Sequence, residues 1–375
     1  MKKDTSVELA RILGCFIVIG VHICLPMFID NTFDVGRGYI SCLFADGVAV
    51  FWFISGFFIF RKFDYKKILT RTIKTIVLPM VIVNVVYFYF SGFILSNESL
   101  VESVLHTKDE YMYVISAILS WNNPVVEFGH FWYVWVYMLL MIISPIIYSF
   151  IKYLNEDKKR IRLFLLCSLI FLIYNDVSNN NMGEFSHHSV NALVPAMIQM
   201  IWGYYLYKNK DYFVSKKWIA GGVIAFFILN IFRLYIQIVR NSKGTEGINI
   251  YYWYSAIGLL CAACIIIFCI SFTETIIKRN AIKNTINYVS SFTFWIYIMH
   301  QSMYYDIFVK FGICEIINKY LINLFADEIS FSYEALYTVV WTIVLFGVSL
   351  LIMICINMIW RFLKKVSCYA LRKNN

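Results

Sequence analysis

The sequence predicts an all-α polytopic membrane protein of about ten transmembrane helices, with both termini cytoplasmic. Three observations carry that prediction. Of 375 residues, 60% are apolar and only 15% are charged. Apolar runs of spanning length recur down the chain, separated by short basic breaks, as in polytopic helical membrane proteins. Lys and Arg then fall almost wholly on one side of those runs. With the N-terminus inside, the inner segments hold 25 of the 33 Lys and Arg residues and the outer segments hold six. The other two, Arg11 and Arg233, lie inside spans. Such asymmetry follows the positive-inside rule and sets the orientation.

The expected spans are 7–29, 41–60, 75–95, 130–151, 163–178, 190–207, 218–239, 250–273, 286–308 and 333–360. Lys2 and Lys3 precede the first run as in a signal peptide, but no small-x-small cleavage site follows, so it reads as an uncleaved first helix. Pro26 lies four residues after His22 and withholds an N–H from the His22 carbonyl, which predicts a bend there. The second run, "FISGFF" at 53–58, puts Ser55 and Gly56 mid-span, where small residues let helices approach. The third follows the basic stretch "RKFDYKKILTRTIKTIVLP". The outer segment 96–128 contains "YMYVISAILSW", too short to span and too apolar for a wet loop, so an interfacial or re-entrant helix is expected. The fourth run opens on "HFWYVWVY", an aromatic cluster suited to a membrane interface. "CAAC" at 261–264 invites a metal or redox reading. No second pair completes such a site, so these cysteines read as small apolar residues and no metal is expected. The reading is one membrane-embedded domain over 1–375 with no separate soluble domain. The net charge of +10 sits in loops rather than on an aromatic-laced stripe, so nucleic acid is not an expected partner.

The informative residues are those that lipid disfavours. Arg11 and His22 are eleven residues apart, which at about 100° per residue is three turns plus roughly 20°. They share a face, separated by a rise of about 16 Å. Glu8 lies one turn before Arg11 and can pair with it. A charge at the bilayer centre costs about 2.5–3.5 kcal/mol on insertion scales, so such groups face protein or water-filled cavities. The plainer alternative is that Arg11 snorkels and His22 bonds a neighbouring helix. His300, one turn after Tyr297 in the ninth span, falls nearly level with His22. Imidazole exchanges protons near neutral pH, so two at matching depth point to a reaction centre in the outer half of the bilayer. His130 stands at the outer surface, with His106, His187 and His188 in outer loops. Inside, Arg71 and Lys74 share a face at the start of the third span and can hold phosphates; topology and anionic lipid explain most of the other cations. Asp46, Glu127, Asp176 and Arg233 fall near outer span ends, within reach of a polar acceptor or the headgroups.

Together these residues resemble the integral-membrane acyltransferase 3 family, bacterial O-acyltransferases of cell-surface glycans. Arg11–x10–His22 is similar to that family's first-span signature. "VFWFISGFFIF" resembles its second-span FFxxSG element. Arg71-x-x-Lys74 with Pro79 resembles its RxxR segment, with Lys in place of the second Arg. "HFWYVWVYMLLMIISP" resembles its His-x-Trp segment, here His130 and Trp132, and "SSFTFWIYIMHQ" its Ser…Tyr-x-x-His element. The resemblance implies an acyl-CoA co-substrate, acetyl-CoA by default, with no permanently bound cofactor. It implies a glycan acceptor and lipid as partners, in a bacterial plasma membrane. It places His22, Arg11 and Glu8 as catalytic, with His22 either a general base or an acyl relay. Arg71, Lys74, Ser55 and Gly56 become the acyl-CoA-binding set, and Tyr297, His300, His130 and Trp132 bind or orient the acceptor. A transporter or flippase is the main rival, disfavoured by the lack of a clear internal repeat. A polymerase or ligase using lipid-linked sugar is the second, disfavoured by outer segments poor in Lys and Arg.

Overall fold

The computed structural model describes residues 4–29, 32–83, 85, 99, 101–102, 132–178, 192–242, 254–302, 307–324 and 331–373. The described chain is helical apart from one two-residue hairpin. Asp4 caps α1 (Thr5–Ile23), its carboxylate accepting from the Ser6 amide at 3.1 Å and the Ser6 hydroxyl at 2.7 Å. Such a cap satisfies donors that a helix start leaves open. The bend expected at Pro26 is instead a stop. Leu25, before the proline, is steered out of helical geometry, and the helix closes at Ile23. A hairpin follows, with β1 (Phe28–Ile29) antiparallel to β2 (Thr32–Phe33). Next come α2 (Val35–Leu43), α3 (Gly47–Arg61) and α4 (Tyr65–Thr72), the last running into a π-helical turn at Ile73–Val77.

The remaining helices are α5 (Trp132–Ile142), α6 (Ser144–Asn155), α7 (Lys158–Ser178), α8 (Leu193–Lys208), α9 (Lys216–Ser242), α10 (Ala256–Thr275), α11 (Asn280–Val289), α12 (Thr293–Ser302), α13 (Ile313–Leu324) and α14 (Phe331–Lys373). Among the described residues, five helices are long and apolar enough to cross a membrane. These are α1, the α2–α3 stretch 35–61, α9, α10 and α14. A sixth forms if α5 and α6 count as one span broken by 63°. The expected fourth span falls on that bent pair, whose geometry fits a broken span or a re-entrant loop. Pro145 cannot continue α5, so it sits in the first turn of α6, where its missing N–H costs nothing. The Ser144 hydroxyl donates to the Met141 carbonyl at 2.7 Å, giving it a partner at the break. The ninth expected span is also divided, into α11, a 3₁₀ turn at Ser290–Phe292, and α12. Most of the third span and nearly all of the 96–128 segment lie outside the described residues.

Helix α1 occupies the centre and packs on α3, α10, α11, α12 and α14. Helix α10 is largely buried, whereas α9 and α14 turn most of their surface outward. On α9 the outward face carries Ile224, Phe227, Ile228, Ile231 and Phe232, a pattern suited to lipid and wrong for water. Among the described residues, α3 and α8 share the most extensive helix–helix contact. A Cβ on Gly56 would fall 1.8 Å from the Met200 carbonyl oxygen, and one on Gly203 would fall 2.1 Å from the Phe53 carbonyl oxygen. Only glycine at both crossings allows this backbone contact.

Candidate active site

Helices α1 and α12 run side by side in the same sense, and three contacts step along them. At one end the Ser290 hydroxyl donates to Glu8 Oε2 at 2.6 Å. Midway, Cys15 Sγ lies 3.5 Å from the Thr293 carbonyl. At the other end the rings of His22 and His300 are 5.2 Å apart, centroid to centroid. The two imidazoles judged level from the sequence are therefore neighbours. His300 is fully buried and His22 half-buried.

Helical geometry orients His300. Its Nδ1 lies 2.7 Å from the carbonyl of Tyr297, three residues back. A carbonyl only accepts, so Nδ1 carries the proton of the neutral ring and Nε2 keeps a lone pair. A basic nitrogen in a fixed direction follows from one backbone contact. The Tyr297 ring lies 6.0 Å from that of His300 and 6.0 Å from that of Tyr133. Trp132 stands edge-on to Tyr133 at 6.3 Å. Aromatic rings thus wall the space beside the imidazoles. His130, His106, His187, His188 and Glu127 lie outside the described residues.

At the capped end of α1, Arg11 Nη1 donates to Glu8 Oε2 at 2.9 Å, so one carboxylate oxygen accepts from both Arg11 and Ser290. Glu8 is almost wholly enclosed while the Arg11 side chain keeps 23% of its surface open. The guanidinium also covers the Phe58 ring at 5.4 Å. The rest of its donor fork is uncommitted among the described residues and can receive an anion or a polarised carbonyl. Ser55 donates to the Phe51 carbonyl at 2.8 Å and stands near the Tyr133 and Tyr137 phenols. Arg11 and Arg71 both act electrostatically on the Tyr137 phenol. Arg71 therefore belongs to the same neighbourhood as Arg11. Lys74 is exposed on the π-helical turn. Gly56 is spent on the α8 crossing.

Asp46 and Arg233, expected among headgroups or acceptor, are instead sealed together. Arg233 Nη2 donates to Asp46 Oδ1 at 2.8 Å and Nη1 to the Cys42 carbonyl at 3.2 Å, with both side chains fully buried. Asp176 accepts from the Ala256 amide at 2.8 Å in the first turn of α10. Sequence reasoning also passed over Ser290 and Tyr133. Both stand in quoted motifs, but their roles depend on α12 and α5 packing beside α1 and α3.

The paired imidazoles at one level and the arginine–carboxylate pair at another thus lie in a helical bundle with five or six helices apolar enough to cross a membrane among the described residues. The acyltransferase domain family, acyltransferase 3, matches residues 4–358, essentially the whole chain, and the chain belongs to it. That membership makes it a membrane acyltransferase. No curated protein and no solved structure matches it.

Proposed function

We propose that the protein moves an acyl group, acetyl by default, from cytoplasmic acetyl-CoA to a hydroxyl of an extracytoplasmic or lipid-linked glycan. Its place is the bacterial plasma membrane, with both termini cytoplasmic. The observation that carries this reading is the His22–His300 pair, 5.2 Å apart at the far end of α1 from the Glu8–Arg11 pair. A donor needs a cationic grip where it enters and a base where it reacts, and one helix supplies both.

In this reading His22 takes the proton of the acceptor hydroxyl as its oxygen attacks the thioester carbonyl. The new C–O bond forms and the C–S bond breaks. The thiolate leaves and receives a proton, returning coenzyme A. His300, set by the Tyr297 carbonyl, and the Tyr297 ring orient the acceptor, a role that Trp132 and His130 share. Arg11, held by Glu8, stabilises negative charge on the donor or at the reacting carbonyl. Arg71 and Lys74 attract the donor's phosphates, and Ser55 lines the path between them and the imidazoles. Acyl-CoA enters as substrate and coenzyme A leaves as product, so no resident cofactor is needed.

The test replaces His22 and Arg11 separately with Ala, measures membrane levels, and follows label from acetyl-CoA into surface-glycan ester. Loss of label in both variants at normal protein level is expected. Full transfer in both would overturn the assignment. Uptake of a labelled solute by the wild type, with no transfer from acetyl-CoA, would favour a transporter.

A further inference from the structure

At the end of the bundle that the charge pattern assigns to the cytoplasm, a pocket of about 370 Å³ opens between the last turns of α3 and α8. That volume falls within the range of small-ligand sites, roughly 300–1,000 Å³. Three aromatic rings wall it: Phe57 from α3, and Tyr204 and Tyr207 from α8. Phe57 and Tyr207 meet with ring centroids 4.7 Å apart.

The charges at the pocket are of two kinds. Lys210 is committed, since its Nζ donates to Asp4 at 2.8 Å and lies 3.8 Å from Glu274. Arg61 and Lys208 are not. Arg61 lies over the Phe57 ring at 5.3 Å, and Lys208 lies over the Tyr204 ring at 5.6 Å while donating to Asn155 at 2.8 Å. Neither has a carboxylate partner among the described residues. Asp211 is the remaining acid of the rim. Tyr207 is 2% exposed, and its hydroxyl makes no hydrogen bond among the described residues.

The partly exposed Tyr204 ring for stacking and two cations for phosphate together select a phosphorylated nucleoside. A lipid headgroup shares the phosphate but brings no planar ring for the aromatic walls. The pocket also adjoins the site. Phe57 is next in the chain to Phe58, which Arg11 covers, and Tyr207 feels the charges of Arg11 and Glu8. We propose that the pocket between Arg61 and Phe57 of α3 and Tyr204, Tyr207 and Lys208 of α8 holds the phosphorylated nucleoside end of the acyl donor. This rests on the donor reading above and deepens it, separating the nucleoside's seat from Arg71 and Lys74.

The experiment measures equilibrium binding of adenosine 3′,5′-bisphosphate to the full chain in phosphatidylcholine nanodiscs. Arg61→Ala, Lys208→Ala and Tyr204→Ala are each expected to weaken binding about tenfold, the scale of one lost charge-assisted bond or ring contact. Tyr204→Phe, which keeps the ring, is expected to bind like the wild type and to show that the pocket still folds. Inorganic phosphate at equal concentration should not compete. Unchanged affinity in the three Ala variants, or no binding by the wild type, overturns the proposal. So does binding abolished by phosphatidylglycerol nanodiscs, which would make the occupant a lipid phosphate. If pocket-dependent binding is found but wild type moves no label from acetyl-CoA, the transfer reading fails and the pocket stands. If transfer proceeds and the pocket variants leave KM for acetyl-CoA unchanged, the pocket alone fails.

Discussion

Arg11 and Arg233 both pair with carboxylates inside the bundle, and their surroundings divide the molecule into a more open region and a sealed one. Arg233 is wholly enclosed with Asp46, its charge matched at 2.8 Å and a second donor spent on a carbonyl. Arg11 also has a carboxylate partner, at 2.9 Å, but keeps part of its surface open and rests on an aromatic face. Burying a charge is tolerable only with compensation, and Arg233 spends both terminal nitrogens on it, leaving only its enclosed Nε without a partner among the described residues. Arg11 is compensated enough to stay and left open enough to meet a ligand. Charge in a span is therefore weak evidence of function by itself; what matters is how much of the donor fork the protein has already used.

The largest effect expected from this contrast is on turnover. His22→Ala should lower acyl transfer about 10²–10⁴-fold, the usual contribution of a general base, with normal protein in the membrane. Label transfer per unit of membrane protein checks this. Next, Arg233→Ala should cost about 3–5 kcal/mol of stability by stranding buried Asp46, and should appear as lost protein or a lowered unfolding midpoint. Arg11→Ala should instead leave most of the protein and remove transfer. If both arginine variants behave alike, the contrast is wrong. Replacing Asp46 and Arg233 together with Leu and Met should restore much of the stability lost in Arg233→Ala, because no unpaired charge remains. Ser290→Ala should reduce transfer less than Arg11→Ala, about tenfold or under, since Glu8 keeps Arg11 as its partner.

The smallest effect is at the helix cap. Burial alone would raise the Asp4 carboxyl, but hydrogen bonds from Lys210 and Ser6 outweigh it and the net shift is downward. For Lys210, burial opposes the charge, and the Asp4 hydrogen bond overcomes it so the ammonium is held above its usual range. The carboxyl's share of stability is thus present at neutral pH and lost as pH falls through the lowered Asp4 value. The lysine's share is present at neutral pH and lost only above the ordinary lysine range. Lys210→Ala should lower stability by under about 1 kcal/mol at pH 7, with the difference from wild type closing in strong acid. Unfolding midpoints across that range test it.

Much of the centre was legible from spacing alone. Arg11 and His22 share a helix face by arithmetic, and depth counting put His300 level with His22 because both helices run the same way; that the rings are neighbours came only from the packing. The Asp46–Arg233 pair was not legible. Each residue reads as a span-end charge until α2, α3 and α9 are packed, and a partner 187 positions away leaves no local mark. Pro26 and Pro145 show a related limit. A proline announces an interruption, but whether the chain bends, stops or starts a new helix depends on where the next segment can dock.

The glycine crossing has a mechanical corollary. With backbone seated on backbone at Gly56 and Gly203, α3 and α8 cannot slide or part without breaking that seat, so they behave as one rigid post. The next residues on each helix, Phe57 and Tyr204, begin the pocket walls, whose spacing is thereby locked. Any gating that admits a donor or frees a product must therefore hinge on helices other than this pair.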